Sequence, residues 1–180
     1  MEATASRYIE HAKEMNAIAR SILKPYLPPK KGVVNGLSGK ISLGLSLQAG
    51  ELAGKGMLRA LGLSVDQIKK QHARHNLLDL CRHVQSEIEA RPEKELEIFR
   101  NFLLWTPIID DVLFGSTLGE YLVKHFSKGA SAQPRSYFYP DLPEFTGPKP
   151  FHALLIMIDH LINLAEQLTK LLCPKETVDC

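Results

Sequence analysis

Apolar residues recur at helical spacing along most of this chain, and no stretch alternates with the two-residue period of a strand. Tyr8, Ile9, Ala12, Met15, Ile18, Ala19 and Ile22 mark a first helix from Thr4 to Leu23, and Pro25, Pro28 and Pro29 end it. A Gly-rich basic loop follows from Lys30 to Lys40, with Ser38 the expected N-cap of a long second helix that Gly62 closes. That helix carries two apolar rows: Leu45, Ala49, Leu52 and Gly56 form one, and Leu47, Gly54, Leu58 and Leu61 the other. A helix apolar on more than one side must be covered on more than one side, which places it at the centre of a bundle.

Ser64-Val-Asp-Gln reads as the start of a short helix. The next begins at His75-Asn-Leu-Leu-Asp-Leu80, with Leu77 and Leu80 on its inner face, and runs to about Glu89 before Arg91-Pro92 breaks it. A fourth block, Glu93 to Phe126, must kink or divide at Pro107 and near Gly115. Ser127 to Pro150 holds Pro134, Pro140, Pro143, Pro148 and Pro150, too many for regular structure. The last helix, Phe151 to Leu172, has one stripe: Phe151, Leu154, Leu155, Ile158, Leu161, Ile162, Ala165, Leu168 and Leu172. The pattern predicts an all-α fold of about five helices in one domain over residues 1–180. Loose loops are expected at about 24–38 and 127–150, with a short tail at 173–180.

Gly44, Gly50, Gly54 and Gly56 lie inside the second helix, where each costs about 1 kcal/mol relative to Ala. Missing side chains let neighbouring helices approach the backbone, and Gly50 and Gly54 share a face. Close packing within the chain explains that face; a homodimer seam is the alternative use of it. Glu51 and Lys55 sit one turn apart on the same helix, acid before base, which is the favourable order.

The run Ala49-x-Glu51-x-x-x-Lys55, followed by His75-Asn-Leu-x-x-Leu80, resembles the HEPN family of small α-helical bundles. The likeness runs from about Tyr8 to Leu172, and these two motifs carry its specificity. It implies an up-and-down bundle with His75 at a helix start. It also implies a protein partner such as a nucleotidyltransferase and a defence or toxin–antitoxin setting; the homodimer is expected separately, from the helix faces apolar on two sides and the Gly50/Gly54 row. Many members are metal-independent ribonucleases with an Arg, four to six residues, then a His near the start of the last helix. No arginine in this chain has a His in that range: Arg7 reaches His11 one residue too early, and Arg100 has Trp105 where His would stand. The expectation is therefore a catalytically degenerate module that binds protein, RNA or nucleotide.

Composition narrows the setting. The chain has 180 residues, a formal charge of +2 and three cysteines (Cys81, Cys173 and Cys180) without C-x-x-C spacing. Met1 to Lys13 is polar and charged, unlike a signal peptide, and no apolar stretch approaches bilayer length. A reduced cytoplasmic protein with no membrane association is expected. The charges are segregated. No acid lies between Glu14 and Glu51, where Arg20, Lys24, Lys30, Lys31 and Lys40 are basic. A second acid-free stretch between Glu120 and Asp141 holds Lys124, His125, Lys128 and Arg135. Glu87, Glu89, Glu93, Glu95 and Glu97 crowd one helix end and linker. Such segregation can give a nearly neutral protein a basic face suited to phosphate, although solvated lysines on loops explain it equally.

His72, Arg74, His75, Arg82 and His83 fall within twelve residues. A neutral imidazole can take a proton from a ribose hydroxyl while a guanidinium stabilises the phosphorane charge. Arg74, His75, His72 and His83 are thus the candidate catalytic residues of an alternative reading, a ribonuclease with a displaced site. His72 and His75 could also offer two imidazoles to a metal, but no pattern supplies the remaining ligands, so no metal or cofactor is expected. Glu51, Lys55, Lys30, Lys31, Arg135 and Tyr139 are the candidate binding residues. Tyr139, with Tyr137 and Phe138, could stack on a base or simply pack the long loop. The Lys30–Gly39 segment lacks the order of a phosphate-binding P-loop, and no nucleophile elbow is present.

Overall fold

The long glycine-bearing helix is the axis of the fold, because its small residues let three other helices pack against its backbone. The computed structural model describes residues 3–26, 36–72, 77–92, 94–100 and 148–174. Its helices are α1 (Ala5–Leu23), α2 (Leu37–Ala60), α3 (Val65–Gln71), α4 (Leu77–Glu89), α5 (Glu97–Arg100) and α6 (Pro148–Leu172). Short 3₁₀ turns lie at Lys24–Tyr26 and Lys94–Leu96. Among the described residues there is no strand, and no helix is long and apolar enough to cross a membrane. The fold is all-α.

The helix ends follow local chemistry. Thr4 caps α1, its hydroxyl accepting from the Arg7 amide at 3.3 Å. Ser64 and Gln67 form a reciprocal capping box at the start of α3. At the end of α2, Gly62 takes φ +91°, with Leu63 N–H donating to the Leu58 carbonyl and Gly62 N–H to that of Arg59. This Schellman closure needs a residue without Cβ, so the expected stop at Gly62 is observed. Two guanidinium groups satisfy further carbonyls there: Arg91 donates to Leu61 O, and Arg59 to Leu63 O at 2.6 Å.

Helix α2 runs antiparallel to α1, with the Ser42 hydroxyl donating to Ala19 O near one end and Gly56 facing Ile9 near the other. A Cβ on Gly50 would stand 2.6 Å from Ile158 and 3.2 Å from Leu77, and one on Gly54 would stand 2.7 Å from Leu80. Both glycines therefore pack inside the chain, against α6 and α4. Those side chains fill, within the chain, the face considered for a homodimer seam. The same pairings show α4 running in the sense of α2, Gly50 meeting Leu77 and Gly54 meeting Leu80. One apolar core joins Ile9, Leu47, Met57, Ile68, Leu80, Val84, Phe99, Ile158 and Leu168. Burying such side chains contributes about 1.5–3 kcal/mol each.

Several expectations need correction. Helix α2 starts at Leu37 with Gly36 as N-cap, because the Gly36 carbonyl already accepts from Lys40 N–H; Ser38 lies inside the helix. Helix α6 starts at Pro148, since prolines in a first turn forfeit only amides that lack intrahelical partners anyway. Ile18, assigned to the core stripe of α1, is 52% exposed, and the polar Asn16 is buried instead. Most of the Glu93–Phe126 block, most of the 24–38 and 127–150 loops, and the end of the tail lie outside the described residues.

Candidate functional site

The junction of α2, α3 and α4 gathers the titratable side chains. Glu51 and Lys55 lie on α2 and form an i,i+4 ion pair with side chains only 8% and 16% exposed. This is no surface pair: helix packing has taken it largely out of water, where each charge depends on its partner. His72 ends α3 as its C-cap residue, and His83 lies on α4, whose first turns pack against Gly50 and Gly54.

The two imidazoles meet. His72 Nε2 lies 2.7 Å from His83 Nδ1, with ring centroids 5.0 Å apart and planes tilted by 31°. His83 Nε2 lies 3.3 Å from Glu87 Oε1, one turn further along α4. A carboxylate only accepts, so His83 carries its proton on Nε2 and accepts on Nδ1 when neutral. The network then assigns the donor on the other side: His72 Nε2–H points at His83, and His72 Nδ1 is left as that ring's acceptor. Burial holds the His72 imidazole below its ordinary 6.5, and His83 and Lys55 push it the same way. Asp79 and Glu51 oppose them more weakly. These four groups thus share one electrostatic neighbourhood with His72, which stays neutral near physiological pH.

No protein-family model matches this sequence, and no curated protein or solved structure matches it either.

Of the expected site residues, the structure therefore brings together Glu51, Lys55, His72 and His83. Arg74, His75, Lys30, Lys31, Arg135 and Tyr139 lie outside the described residues. Glu87 joins the cluster unforeseen. Its signal was the i,i+4 spacing from His83, hidden within the acidic run that looked like a solvated linker. Among the described residues, no group of three or more His, Cys, Asp and Glu side chains is placed to hold a metal. Cys81 is fully buried and its thiol is pushed up to about 12 by burial, so it belongs to the core and not to a reactive site.

A second polar assembly lies between antiparallel α1 and α6, and the sequence reading missed it. The Asn16 amide donates to Asp159 Oδ1 at 2.5 Å, and Arg20 pairs with Asp159 and also donates to Leu155 O at 3.2 Å. Lys13 and Lys170 hold Glu166 from either side at 2.6 and 3.0 Å, and those hydrogen bonds keep its carboxyl below the usual range. Arg20, counted toward a basic face, is thus neutralised by a carboxylate 139 residues away.

Proposed function

We propose that this chain is a catalytically degenerate, HEPN-like helical module that binds a protein partner, with RNA or nucleotide phosphate as a ligand of its basic segments. The setting implied by the family likeness is a defence or toxin–antitoxin pair. The supporting observation is that the described site residues are already paired within the fold: Glu51 with Lys55, and His83 with both His72 and Glu87. A substrate would have to displace those partners to use these groups, and the His72–His83 contact also ties the end of α3 to α4. The sequence contributes the other support, since the Arg-to-His pair of the active members is missing.

One observation favours a second reading, a ribonuclease with a displaced site. The line Glu87–His83–His72 orients a neutral imidazole, and such a ring can take the proton of a ribose 2′-hydroxyl. Incubating the purified chain with single-stranded RNA, with and without chelator, separates the two. Intact RNA is expected, together with weak binding that falls steeply with salt. Replacing Lys30 and Lys31 with Ala should lower both the affinity and the log–log salt slope, the latter by about 1.4 for two lost phosphate contacts. Cleavage that disappears in His83→Ala, with the fold intact, makes the ribonuclease the correct account.

A further inference from the structure

Three buried side chains hold the short helix α3: Val65 and Ile68 by apolar contact, and His72 by a polar tie to His83 of α4. That tie has a stoichiometry in protons. Facing ring nitrogens 2.7 Å apart have room for one hydrogen between them and not for two. With His83 Nε2–H directed at Glu87, the hydrogen between the rings belongs to His72 Nε2, and the neutral pair is satisfied. One further proton is accommodated. Placed on His72 Nδ1, it makes His72 a cation that donates more strongly to His83. Placed on His83 Nδ1, it requires only that His72 carry its own hydrogen on Nδ1 and accept at Nε2. A second added proton has no such place. Both facing nitrogens then bear hydrogen, and two like charges stand on rings whose centroids are 5.0 Å apart.

We propose that the His72–His83 pair is a latch that counts protons: it keeps the end of α3 closed on α4 with no added proton or one, and releases it on the second. The charges around the pair support that order. On α4, Glu87 faces His83, and Asp79 favours a proton on His72. On α2, Glu51 favours that proton and Lys55 opposes it. Asp66, Lys69 and Lys70 of α3 itself are exposed to water. The carboxylates of α4 thus balance one imidazolium. A second finds less, since burial opposes a charge on His72 and Glu51 is already paired with Lys55. Interacting sites of this kind titrate as a pair, in two separated steps.

Release regulates the site that the latch closes. Glu51 and Lys55 share the neighbourhood of His72, so opening at the end of α3 brings water, and a ligand, to a pair that the closed form keeps largely dry. The inference deepens the reading above by giving the condition under which these committed groups come free, and it rests on that reading. RNA cleavage lost in His83→Ala would overturn that reading, while the proton count of the pair stands or falls on its own titration.

The test titrates the full chain, carrying isotope-labelled histidine, from pH 8 to 4.5 and reads the ring nitrogens by magnetic resonance. His72→Gln and His83→Gln assign the two rings. In the unaltered chain both rings are expected to change over the same two steps, because the first proton is shared between them. Each variant should show one step for its remaining ring, with that of His72 moved to higher pH when His83 is gone. Hydrogen exchange reads the opening. Corrected for the intrinsic effect of pH, amides of residues 65–72 should exchange about tenfold faster after the second step and no faster after the first. In folded His83→Gln that acceleration should be absent. Independent single-step titration of the two rings in the unaltered chain, acceleration at the first step, or an unchanged acceleration in folded His83→Gln each overturns the proposal.

Discussion

Leu80 occupies the space in front of Gly54: a Cβ on that glycine would stand 2.7 Å from Leu80 Cδ2 and 2.9 Å from its Cγ. Leu80 is itself buried, so it has nowhere to retreat without disturbing Val84 and the rest of the core. Gly54→Leu should therefore lower unfolding free energy by about 1–3 kcal/mol or more through overpacking. Chemical denaturation reads this directly. Sedimentation should show the same oligomeric state before and after the change, because the glycine face is used within the chain. A variant that alters only assembly, and not stability, would contradict this packing.

Ile158 performs the equivalent task on α6, filling the space left by Gly50 while being fully buried. Ile158→Ala removes that contact and leaves a cavity between two long helices, with an expected cost of about 2–5 kcal/mol. Urea melts that superimpose on those of the parent would show that α6 is not packed against α2 in solution.

Lys55→Met tests the buried ion pair. The change retains much of the side-chain volume but removes the cation beside the Glu51 carboxylate, which is 6% exposed. Removing one partner of a buried ion pair costs about 3 kcal/mol. A loss below about 0.5 kcal/mol, the worth of an exposed i,i+4 pair, would show that water reaches Glu51 freely.

The histidines predict acid sensitivity above the carboxylate range. Burial lowers the affinity of His72 and of His160 for a proton relative to the ordinary 6.5. The unfolded chain then binds more protons than the native one, so stability is fully present above about pH 6.5. It declines as pH falls from there toward the lower native values. His72→Gln, which retains a donor toward His83, should flatten part of this decline, with His160 supplying the remainder. Glu166 adds a separate loss below its ordinary 4.5, as its lysine-held carboxylate is protonated. Urea midpoints measured from pH 7.5 to 4 check both windows, and a midpoint constant between pH 7 and 5 would contradict the first.

The sequence by itself determined the helices that carry the core. Apolar spacing placed α1, α2, α4 and α6, and Thr4, Ser64 and Gly62 announced ends that obey backbone hydrogen bonding alone. It also predicted that α2 is central, since a helix apolar on two sides has no stable place at a surface. The sequence could not show which helix each face meets. That Gly54 receives Leu80 rather than a second copy of the chain depends on how α4 crosses α2, a long-range packing choice with no local signature. The same limit hid the sites. Glu51 and Lys55 were visible as a pair, but their burial is set by neighbouring helices. His72 and His83, eleven residues apart, meet only because the end of α3 lies beside α4. Asn16, Arg20 and Asp159 looked like unrelated surface residues until antiparallel α1 and α6 brought them within hydrogen-bonding reach. Periodicity and caps are short-range and are written into the chain; the pairing of distant polar groups is decided only when the core closes.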